Sequence, residues 1–560
     1  MRRLQLQTLV IVTLLSFLEV TYAHTGHPIV AIASAHPLAT QAGFEIINKG
    51  GNIFDAAVAL SATLAVVEPA GSGLGGGGYW LLHRAEDHKE TMIDGREKAP
   101  LAAHKNMYLD KNGKVIPHLS LDGALASAIP GLPAGLVHLS EHYGKLPLAE
   151  CLAPAIRHAR FGFAITERHR RMLSHRLAVL KKDKQASAIL LTKGDVPKPF
   201  SILRQPDLAN TLQQIADFGR DGFYGGHIAE KLVNGVRKAG GIWQSQDLKA
   251  YQIVERNPLK GSYQGIAITS APPSSSGGVV LLEALNILSS FDLQNVSEVT
   301  RKHLIVEALR RAYHDRALYL GDPDFINIPV QYLLSSAHTE YLRKSINSHK
   351  ATPSNELFGN TPELRQGVQT THFSIMDEKG NRIAATLSIN MPFGSGIIAA
   401  GTGVILNNEM DDFVSQANAL NGYGLTGGYA NSIAPGKRML SSMTPTFLES
   451  PDRIGALGTP GGSKIISMVL LGILDFAKGN NPASWVKVPR FHHQYLPDTL
   501  EHEVSALSSD ELKNLTLMGH QLKPSRRSYG DMQAVQLNKT NRQLSAASDP
   551  RGEGSAKTSH

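Results

Sequence analysis

The segment Gln369-Thr370-Thr371-His372-Phe373-Ser374 places two threonines at the head of a predicted strand, far inside a chain of 560 residues. If the peptide bond before Thr370 is broken, Thr370 carries both its hydroxyl and a free α-amine. The amine can then accept the hydroxyl proton, so that one residue supplies nucleophile and general base together. An ordinary strand that begins with β-branched residues is the alternative, and these six residues alone do not separate the two interpretations.

The pattern of apolar residues differs on the two sides of this segment. Residues 24–369 are mostly helical in pattern, with helices predicted over 38–49 and 53–67 and short strands between the helices. After Thr370, apolar residues alternate on both sides of Glu378-Lys379-Gly380-Asn381, which predicts a hairpin. This mixture of helices and hidden strands predicts a layered α/β sandwich.

The remainder of the chain combines loops, short strands and one further clear helix. Glycine-rich loops and short strands are predicted as far as Gly462, and a helix is predicted over 463–478. The segment from Arg551 to His560 is polar, and we predict that it is disordered.

Composition excludes several classes of protein. Apolar residues make up 42% of the chain and charged residues 19%, as in globular proteins. The net charge of +8 mildly favours acidic partners. However, no run of lysine and arginine with interleaved aromatic residues is found, so nucleic acid is not an expected partner.

The N-terminus has the pattern of an export signal. Arg2 and Arg3 precede an apolar run over 9–20, and small residues follow up to Ala23. We therefore predict that residues 1–23 are a signal peptide and that the protein is exported, to the periplasm or the medium. A retained membrane anchor is the alternative, although Glu19 within the apolar run argues against it.

Motifs for metal, disulfide and serine chemistry are weak or missing. Cys151 is the only cysteine, which excludes an intrachain disulfide, and we expect it to be buried. No H-E-x-x-H or G-x-S-x-G motif occurs, and His492 and His493 are expected to point to opposite sides of a strand. A zinc hydrolase stays a minor alternative, and no cofactor is expected.

A glycine-rich segment over 71–76 matches the G-x-G-x-x-G pattern of dinucleotide-binding proteins. Its context differs, because a predicted helix precedes it and a predicted strand follows it, and the lysine of a phosphate-binding loop is missing. The four successive glycines Gly75 to Gly78 instead predict close backbone approach and positive φ angles.

Three polar clusters carry groups that a pure core does not need. The clusters are Asp94-Gly95-Arg96-Glu97, the segment 407–413, and the segments 438–445 and 458–463 taken together. The planar fork of Arg96 can bind a carboxylate. Backbone N–H groups at the glycine pair that opens the predicted 463–478 helix suit an oxyanion. Together with Thr370, these clusters describe a site that holds a zwitterion and attacks its acyl group.

These motifs, in this order, closely resemble the γ-glutamyltranspeptidases of the N-terminal-nucleophile hydrolase superfamily. The resemblance covers nearly the whole chain after the signal segment. It is carried by Gly50-Gly51-Asn52, the 74–79 stretch, Asp94 to Glu97, Pro273-Ser274-Ser275, Gln369 to His372, Asn407 to Phe413, Ser441-Ser442, Pro460 to Ser463, Pro489 to Gln494 and Ser548 to Arg551.

The resemblance implies a four-layer αββα sandwich assembled from two fragments of one precursor. It implies self-cleavage between Gln369 and Thr370, giving a large subunit of residues 24–369 and a small subunit of residues 370–560 that pair as a heterodimer. It further implies that Thr370 attacks the γ-carbonyl of a γ-glutamyl compound such as glutathione. Water or an amino-acid or peptide acceptor then resolves the γ-glutamyl ester.

The family also implies a role for individual residues of this sequence. By position in the motifs, Arg96, Ser441 and Ser442 would bind the α-carboxylate of the donor. Its α-ammonium would be bound by Glu409, Asp412 and Asn390. Gly461 and Gly462 would form the oxyanion hole, Ser388 would support the Thr370 amine, and Tyr423 would belong to a lid loop over 417–431.

Two departures and two rivals qualify this prediction. Many bacterial relatives have threonine at the position of Ser388, where the hydroxyl is kept. Some have glutamine at the position of Glu409, and the carboxylate is expected to strengthen ammonium binding. A cephalosporin acylase-like hydrolase is the first rival; its glutaryl substrate has no α-amine for Glu409 and Asp412 to bind. The second rival is an uncleaved, inactive family member that serves as a binding protein.

Overall fold

The computed structural model describes residues 28–357, 370–414, 421 and 425–559. The predicted signal peptide, the cleavage residue Gln369 and the lid residue Tyr423 lie outside these residues. Within the described part, no helix is long and apolar enough to cross a membrane.

The described residues form an α/β fold with antiparallel sheets and many helices. The strands are, in chain order, β1 (Val30–Ser34), β2 (Gly77–Arg84), β3 (Lys89–Gly95), β4 (Phe163–Ala164), β5 (Ile202–Leu203), β6 (Val254–Arg256), β7 (Leu259–Tyr263), β8 (Ile266–Ser270), β9 (Thr371–Asp377), β10 (Arg382–Ser388), β11 (Ile398–Ala399), β12 (Val404–Ile405), β13 (Thr446–Glu449), β14 (Arg453–Gly458), β15 (Phe491–His492), β16 (Leu500–His502), β17 (Leu522–Pro524), β18 (Gln533–Asn538), β19 (Leu544–Ser548) and β20 (Ser555–Thr558).

The helices confirm the segments that were predicted from apolar spacing. They are α1 (Pro37–Asn48), α2 (Ile53–Val67), α3 (Leu132–Tyr143), α4 (Leu148–Phe161), α5 (Glu167–Leu180), α6 (Lys184–Leu190), α7 (Pro206–Phe218), α8 (Asp221–Tyr224), α9 (Gly226–Lys238), α10 (Ser245–Ala250), α11 (Gly277–Leu288), α12 (Glu298–Tyr319), α13 (Val330–Leu333), α14 (Ser336–Lys344), α15 (Ser354–Leu357), α16 (Ile465–Ala477), α17 (Pro482–Trp485) and α18 (Ser509–Leu517).

Two large sheets organise the fold. The first has the order β20-β1-β9-β10-β2-β3-β6 and the second the order β19-β18-β14-β13-β8-β7, and neighbouring strands are antiparallel throughout both. Strands β9 and β1 of the first sheet lie against β18 of the second. The predicted hairpin is β9 and β10, with Thr371 opposite Leu387.

Alternating side chains divide the core between the two faces of the first sheet. Val30 and Ile32 of β1 join one apolar cluster with α1, α2 and α4, whereas Ala31 and Ala33 join a second cluster with α11, α12 and α16. This is the period of two that a strand imposes when both of its faces are covered. Cys151 is buried in the first cluster, as predicted.

The ends of four strands meet at one edge of the first sheet. Strand β9 begins there, β10 ends there at Ser388, β2 begins there at Gly77 opposite Ser388, and β3 ends there at Gly95. Antiparallel pairing therefore brings together Thr370, Ser388 and Arg96, which are far apart in the sequence.

Of the two predictions made for Gly75 to Gly78, the close approach of backbones is confirmed. A Cβ on Gly75 would lie 2.0 Å from the carbonyl oxygen of Ile405, and one on Gly76 would lie 2.0 Å from that of Ser388. The predicted positive φ angles are wrong, because none of Gly75 to Gly78 has a positive φ. Glycine is needed here for space between backbones and not for a left-handed turn.

The predicted disorder of the C-terminal segment is also wrong for most of its length. Ser555–Thr558 form the edge strand β20, which pairs with β1, and the backbone N–H of Val30 donates to Ser559 Oγ at 2.8 Å. The pairing uses backbone groups that every residue offers, so polar side chains do not prevent it.

Gly76→Ala is expected to destabilise the protein by at least about 2 kcal/mol, because the new Cβ meets a backbone carbonyl that has no room to move. Gly73→Ala is the matched control: its Cβ would lie 3.6 Å from Ile389 Cγ2, an ordinary contact, so a change within about 0.5 kcal/mol is expected. Thermal unfolding followed by circular dichroism compares the two. Equal midpoints would contradict the packing argument.

Candidate active site

A small cavity lies at the sheet edge where the four strand ends meet. It is lined by Arg96, Thr370, Ser388, Asn390, Glu409, Asp412, Leu425, Ser441, Ser442, Met443, Gly462 and Ile465. Apart from Gly461, these include every predicted catalytic and donor-binding residue of the described part. Gly461 is the neighbour of Gly462 in the chain.

Thr370 is buried at the head of β9, with its Oγ1 atom 3.5 Å from Ser388 Oγ. Ser388 Oγ also accepts a hydrogen bond of 2.8 Å from the backbone N–H of Asn390. The Ser388 oxygen is therefore held in place while it faces Thr370. Such a geometry can orient a hydroxyl or amine at the nucleophile.

Arg96 is buried beside two carboxylates from the segment 409–412. Its Nη1 atom donates to Glu409 Oε2 at 2.6 Å and its Nη2 atom to Asp412 Oδ2 at 2.5 Å. Only 1% of Arg96 is exposed, so these are buried ion pairs and not the surface pairs that an isolated arginine usually makes. Charge-assisted bonds offset part of the desolvation of these groups.

The backbone of Arg96 is fixed from behind by Asp94. The Asp94 carboxylate accepts from the Arg96 N–H at 3.0 Å and from Arg256 Nε at 2.7 Å, and Ser274 Oγ donates to it at 3.0 Å. Arg438 and Arg256 hold the pKa of this carboxyl below its ordinary value although the group is fully buried. The Asp94-Gly95-Arg96-Glu97 motif therefore combines a binding arginine with its own anchor.

The acids beside Arg96 are more numerous than its charge can neutralise. Glu97 lies 3.4 Å from Arg96 Nη1, and burial together with the Glu409 charge raises the pKa of Glu97 well above its ordinary value. Burial, opposed by Arg96, raises the pKa of Glu409 to about 7. The protonation of the Glu409 side chain therefore changes near neutral pH.

Asn407 fixes the segment that carries both acids. Its side-chain oxygen accepts from the N–H groups of Ala128 and Glu409, each at 3.0 Å. Its Nδ2 atom donates to the carbonyls of Gly75 and Ala128 at 2.6 and 2.7 Å. The 407–413 cluster therefore contains a short 3-10 turn over 409–412, which one buried amide side chain holds in place.

The Ser441-Ser442 pair is held by the serine loop over 272–276. Ser276 donates to the Ser441 carbonyl through its N–H at 2.8 Å and its Oγ at 2.7 Å, and Ser275 Oγ donates to the Met443 carbonyl at 2.6 Å. The sequence pointed to this loop through the family motif, and its contacts explain why it is rich in hydroxyls.

Arg316 is a residue that the sequence analysis missed. It is a buried arginine on α12, whose Nε donates to Ser276 Oγ at 2.9 Å and whose Nη2 lies 3.4 Å from Ser442 Oγ. Burial lowers the pKa of Arg316 to about 10, so the guanidinium stays charged at neutral pH. Nothing in the apolar pattern of α12 distinguishes this residue from a core-facing arginine, and no motif pointed to it.

Three residues at or next to the cavity have positive φ angles. Gly461 and Gly462 have φ angles of 153° and 57°, at the entry to α16, and Asn390 has a φ of 70°. Positive φ favours glycine and tolerates asparagine. The glycine pair is therefore needed to turn the chain into α16 with its N–H groups at the cavity end of that helix.

Comparisons with known proteins identify the family. The model of the family described as gamma-glutamyltranspeptidase matches residues 39–559. The chain belongs to the γ-glutamyltranspeptidase family.

Individual relatives agree with this result. The glutathione hydrolase proenzyme of Pseudomonas sp. (strain A14) is 42% identical over 87% of this chain and 85% of its own. The crystal structure of cephalosporin acylase from Bacillus halodurans superposes with a TM-score of 0.83 at 26% identity, covering 95% of this chain and 96% of its own. A γ-glutamyltranspeptidase chain from Helicobacter pylori is 39% identical with a TM-score of 0.56, covering 58% of this chain and 93% of its own.

Proposed function

We propose that this protein is a self-processing γ-glutamyl hydrolase and transferase that cleaves γ-glutamyl amides such as glutathione. The observation that carries the proposal is the shared cavity of Thr370 with Arg96, Glu409 and Asp412. One cation and two acids lie beside a hydroxyl nucleophile, and family membership supplies the reaction class.

The charges of the cavity match an amino-acid head group. Arg96 suits the donor's α-carboxylate, and Ser441 and Ser442 add hydroxyls at the same wall. Glu409 and Asp412 suit the α-ammonium, with Asn390 beside them. Within the cavity the guanidinium and the two acids bind each other. A zwitterion offers each of them a partner of opposite charge, so its entry leaves no buried charge unpaired.

Thr370 then acts on a carbonyl whose distance from this anchor is fixed by the donor's own carbon chain. Its Oγ1 forms a bond to the carbonyl carbon of the γ-amide while the proton passes to the Thr370 α-amine. The C–N bond breaks, and the leaving amine takes that proton. Water or an acceptor amine next attacks the ester and releases Thr370. The N–H groups of Gly461 and Gly462 stabilise the oxyanion in both halves, and Ser388 orients the amine.

The free amine requires cleavage between Gln369 and Thr370. We infer that residues 24–369 and 370–560 become large and small subunits that stay paired, in a four-layer αββα sandwich. Support comes from the word proenzyme in the relative's name and from the Helicobacter pylori chain, whose matched share of this sequence is close to that of residues 24–369. Cleavage of residues 1–23 and export complete the proposal.

A cephalosporin acylase activity is the second candidate, favoured by the similarity to the Bacillus halodurans structure. A glutaryl group carries a carboxylate for Arg96 but no ammonium. Glu409 and Asp412 would then keep only Arg96 as their partner. The three-group arrangement therefore favours γ-glutamyl donors over glutaryl compounds.

Thr370→Ala is expected to leave an uncleaved precursor and to lower kcat/KM on a γ-glutamyl anilide by on the order of a thousandfold or more, because the nucleophile is removed. Thr370→Ser keeps a hydroxyl and is expected to retain cleavage and measurable turnover. Denatured mass and N-terminal sequencing of each fragment report cleavage. Two normal fragments from Thr370→Ala would refute the assignment of the nucleophile.

Asp412→Ala is expected to raise KM for γ-glutamyl donors by at least about tenfold, because a charge-assisted bond to the ammonium is lost. Turnover of matched glutaryl compounds should change much less. Asp411→Ala is the control, since the Asp411 carboxylate accepts from Ser120 Oγ at 2.7 Å and Asp411 is not among the residues that line the cavity. Equal losses for both substrate classes in Asp412→Ala would mean that Asp412 is structural.

The pKa of Glu409, raised to about 7, predicts a pH dependence of head-group binding. Below this pH the side chain is neutral and attracts an ammonium less, so the inhibition constant of L-glutamate should increase as the pH falls through about 7. This readout does not depend on proton transfer at Thr370. In Glu409→Gln the inhibition constant of L-glutamate should be larger than in wild type at pH 8 and should change little with pH. The same inflection in the variant would assign it to another group.

A further inference from the structure

Three buried side chains outside the active site converge between three helices. Glu283 lies on α11, Asp315 on α12 and His338 on α14, and one ligand atom of each lies within 4.8 Å of the other two. All three are at least nine-tenths buried. None lines the cavity that contains Thr370.

Glu283 is the least compensated of the three. It is fully buried, and neither carboxylate oxygen has a hydrogen-bond donor among the described residues. The charged group that acts on it is the carboxylate of Asp315, which has the same sign and lies within hydrogen-bonding reach of Glu283. A buried carboxylate in this position needs either a bound proton or a cation, because ionisation without a partner carries a large desolvation cost.

Asp315 and His338 form a hydrogen-bonded pair, and a metal ion could bind the same nitrogen and oxygen in place of the proton between them. His338 Nε2 lies 2.6 Å from Asp315 Oδ2, and Asp315 Oδ1 lies 3.1 Å from His314 Nδ1. The second contact orients the Asp315 carboxylate from outside the cluster, as outer partners do at metal centres. The other ring nitrogen of His338, Nδ1, is buried and has no protein partner in the described part.

We propose that Glu283, Asp315 and His338 form a binding site for a divalent transition-metal ion, with Zn²⁺ as the preferred occupant. Two carboxylates and one imidazole are a mixed oxygen and nitrogen set that favours Zn²⁺ or Mn²⁺ over Mg²⁺, which takes oxygen ligands almost alone. Three protein ligands leave one tetrahedral position open for water.

The site is placed to hold the helices together and not to take part in the Thr370 chemistry. An ion there would link α11, α12 and α14, which join the sheet core to the surface. The His338 ring packs 4.6 Å from that of Tyr332, which is 52% exposed, so the cluster lies one aromatic ring below the solvent.

Zinc binding to the purified full chain tests the proposal. After treatment with a chelator and dialysis, isothermal titration with ZnCl₂, MnCl₂ and MgCl₂ is compared for wild type, Glu283→Gln and His338→Gln. The controls are Glu340→Gln, an exposed glutamate on the same helix, and His349→Gln, an exposed histidine. Because 23 histidines can bind zinc weakly, the difference between variants and controls is the measured quantity.

We expect one tight equivalent of Zn²⁺ that Glu283→Gln and His338→Gln each weaken at least tenfold and that the controls retain. Zn²⁺ should also raise the thermal midpoint of wild type but not of these two variants. X-ray absorption of the wild-type zinc complex should show nitrogen and oxygen ligands with a single imidazole, which tests the site even if a variant fails to fold. No saturable binding, binding unchanged in both variants, or two or more imidazoles in the spectrum would each overturn the proposal.

Discussion

The buried pairing of Arg96 with Glu409 and Asp412 is the interaction on which the rest of the site depends. An arginine with 1% of its surface exposed persists only if carboxylates replace the water around it. That requirement ties the end of β3 to the 409–412 turn, across more than 300 residues of sequence. Asp94 behind the arginine and Asn407 beneath the turn hold the two partners, so the fold itself fixes their geometry.

Parts of the fold that depend on local sequence patterns could be predicted, and parts that depend on distant contacts could not. The spacing of apolar residues and the positions of glycine and other turn residues were sufficient to predict α1, α2 and the β9–β10 hairpin, because each depends on local sequence. The strand β20 was missed because its pairing uses backbone groups of a short polar segment at a sheet edge. The φ angles of Gly75 to Gly78 were missed because glycine has two uses, and only the position of neighbouring backbones decides between them.

The candidate site divides in a similar way. Residues that lie within recognisable motifs, such as Arg96, Glu409 and Ser441, were named from the sequence, and the cavity brings them together. The residues that support them were either missed, as Arg316 was, or quoted within a motif without a supporting role, as Asn407 was. Arg316 reaches the cavity wall from the last turn of a long helix, and Asn407 acts through four hydrogen bonds that only the folded chain creates. Motifs identify groups that contact a ligand; the groups that hold them depend on tertiary contacts.

Two buried charge clusters in this molecule differ in one respect. At the active site, acids outnumber the cation, and the ammonium of a zwitterionic ligand gives Glu409 and Asp412 a second positive partner. At Glu283 and Asp315, two acids face one histidine, and the Glu283 oxygens have no donor in the described part of the chain. A low-dielectric interior penalises uncompensated charge equally in both places. The ammonium of a substrate can pair with the acids of the active site. Glu283 and Asp315 do not line that cavity, so a bound metal ion is the cation proposed to pair with them.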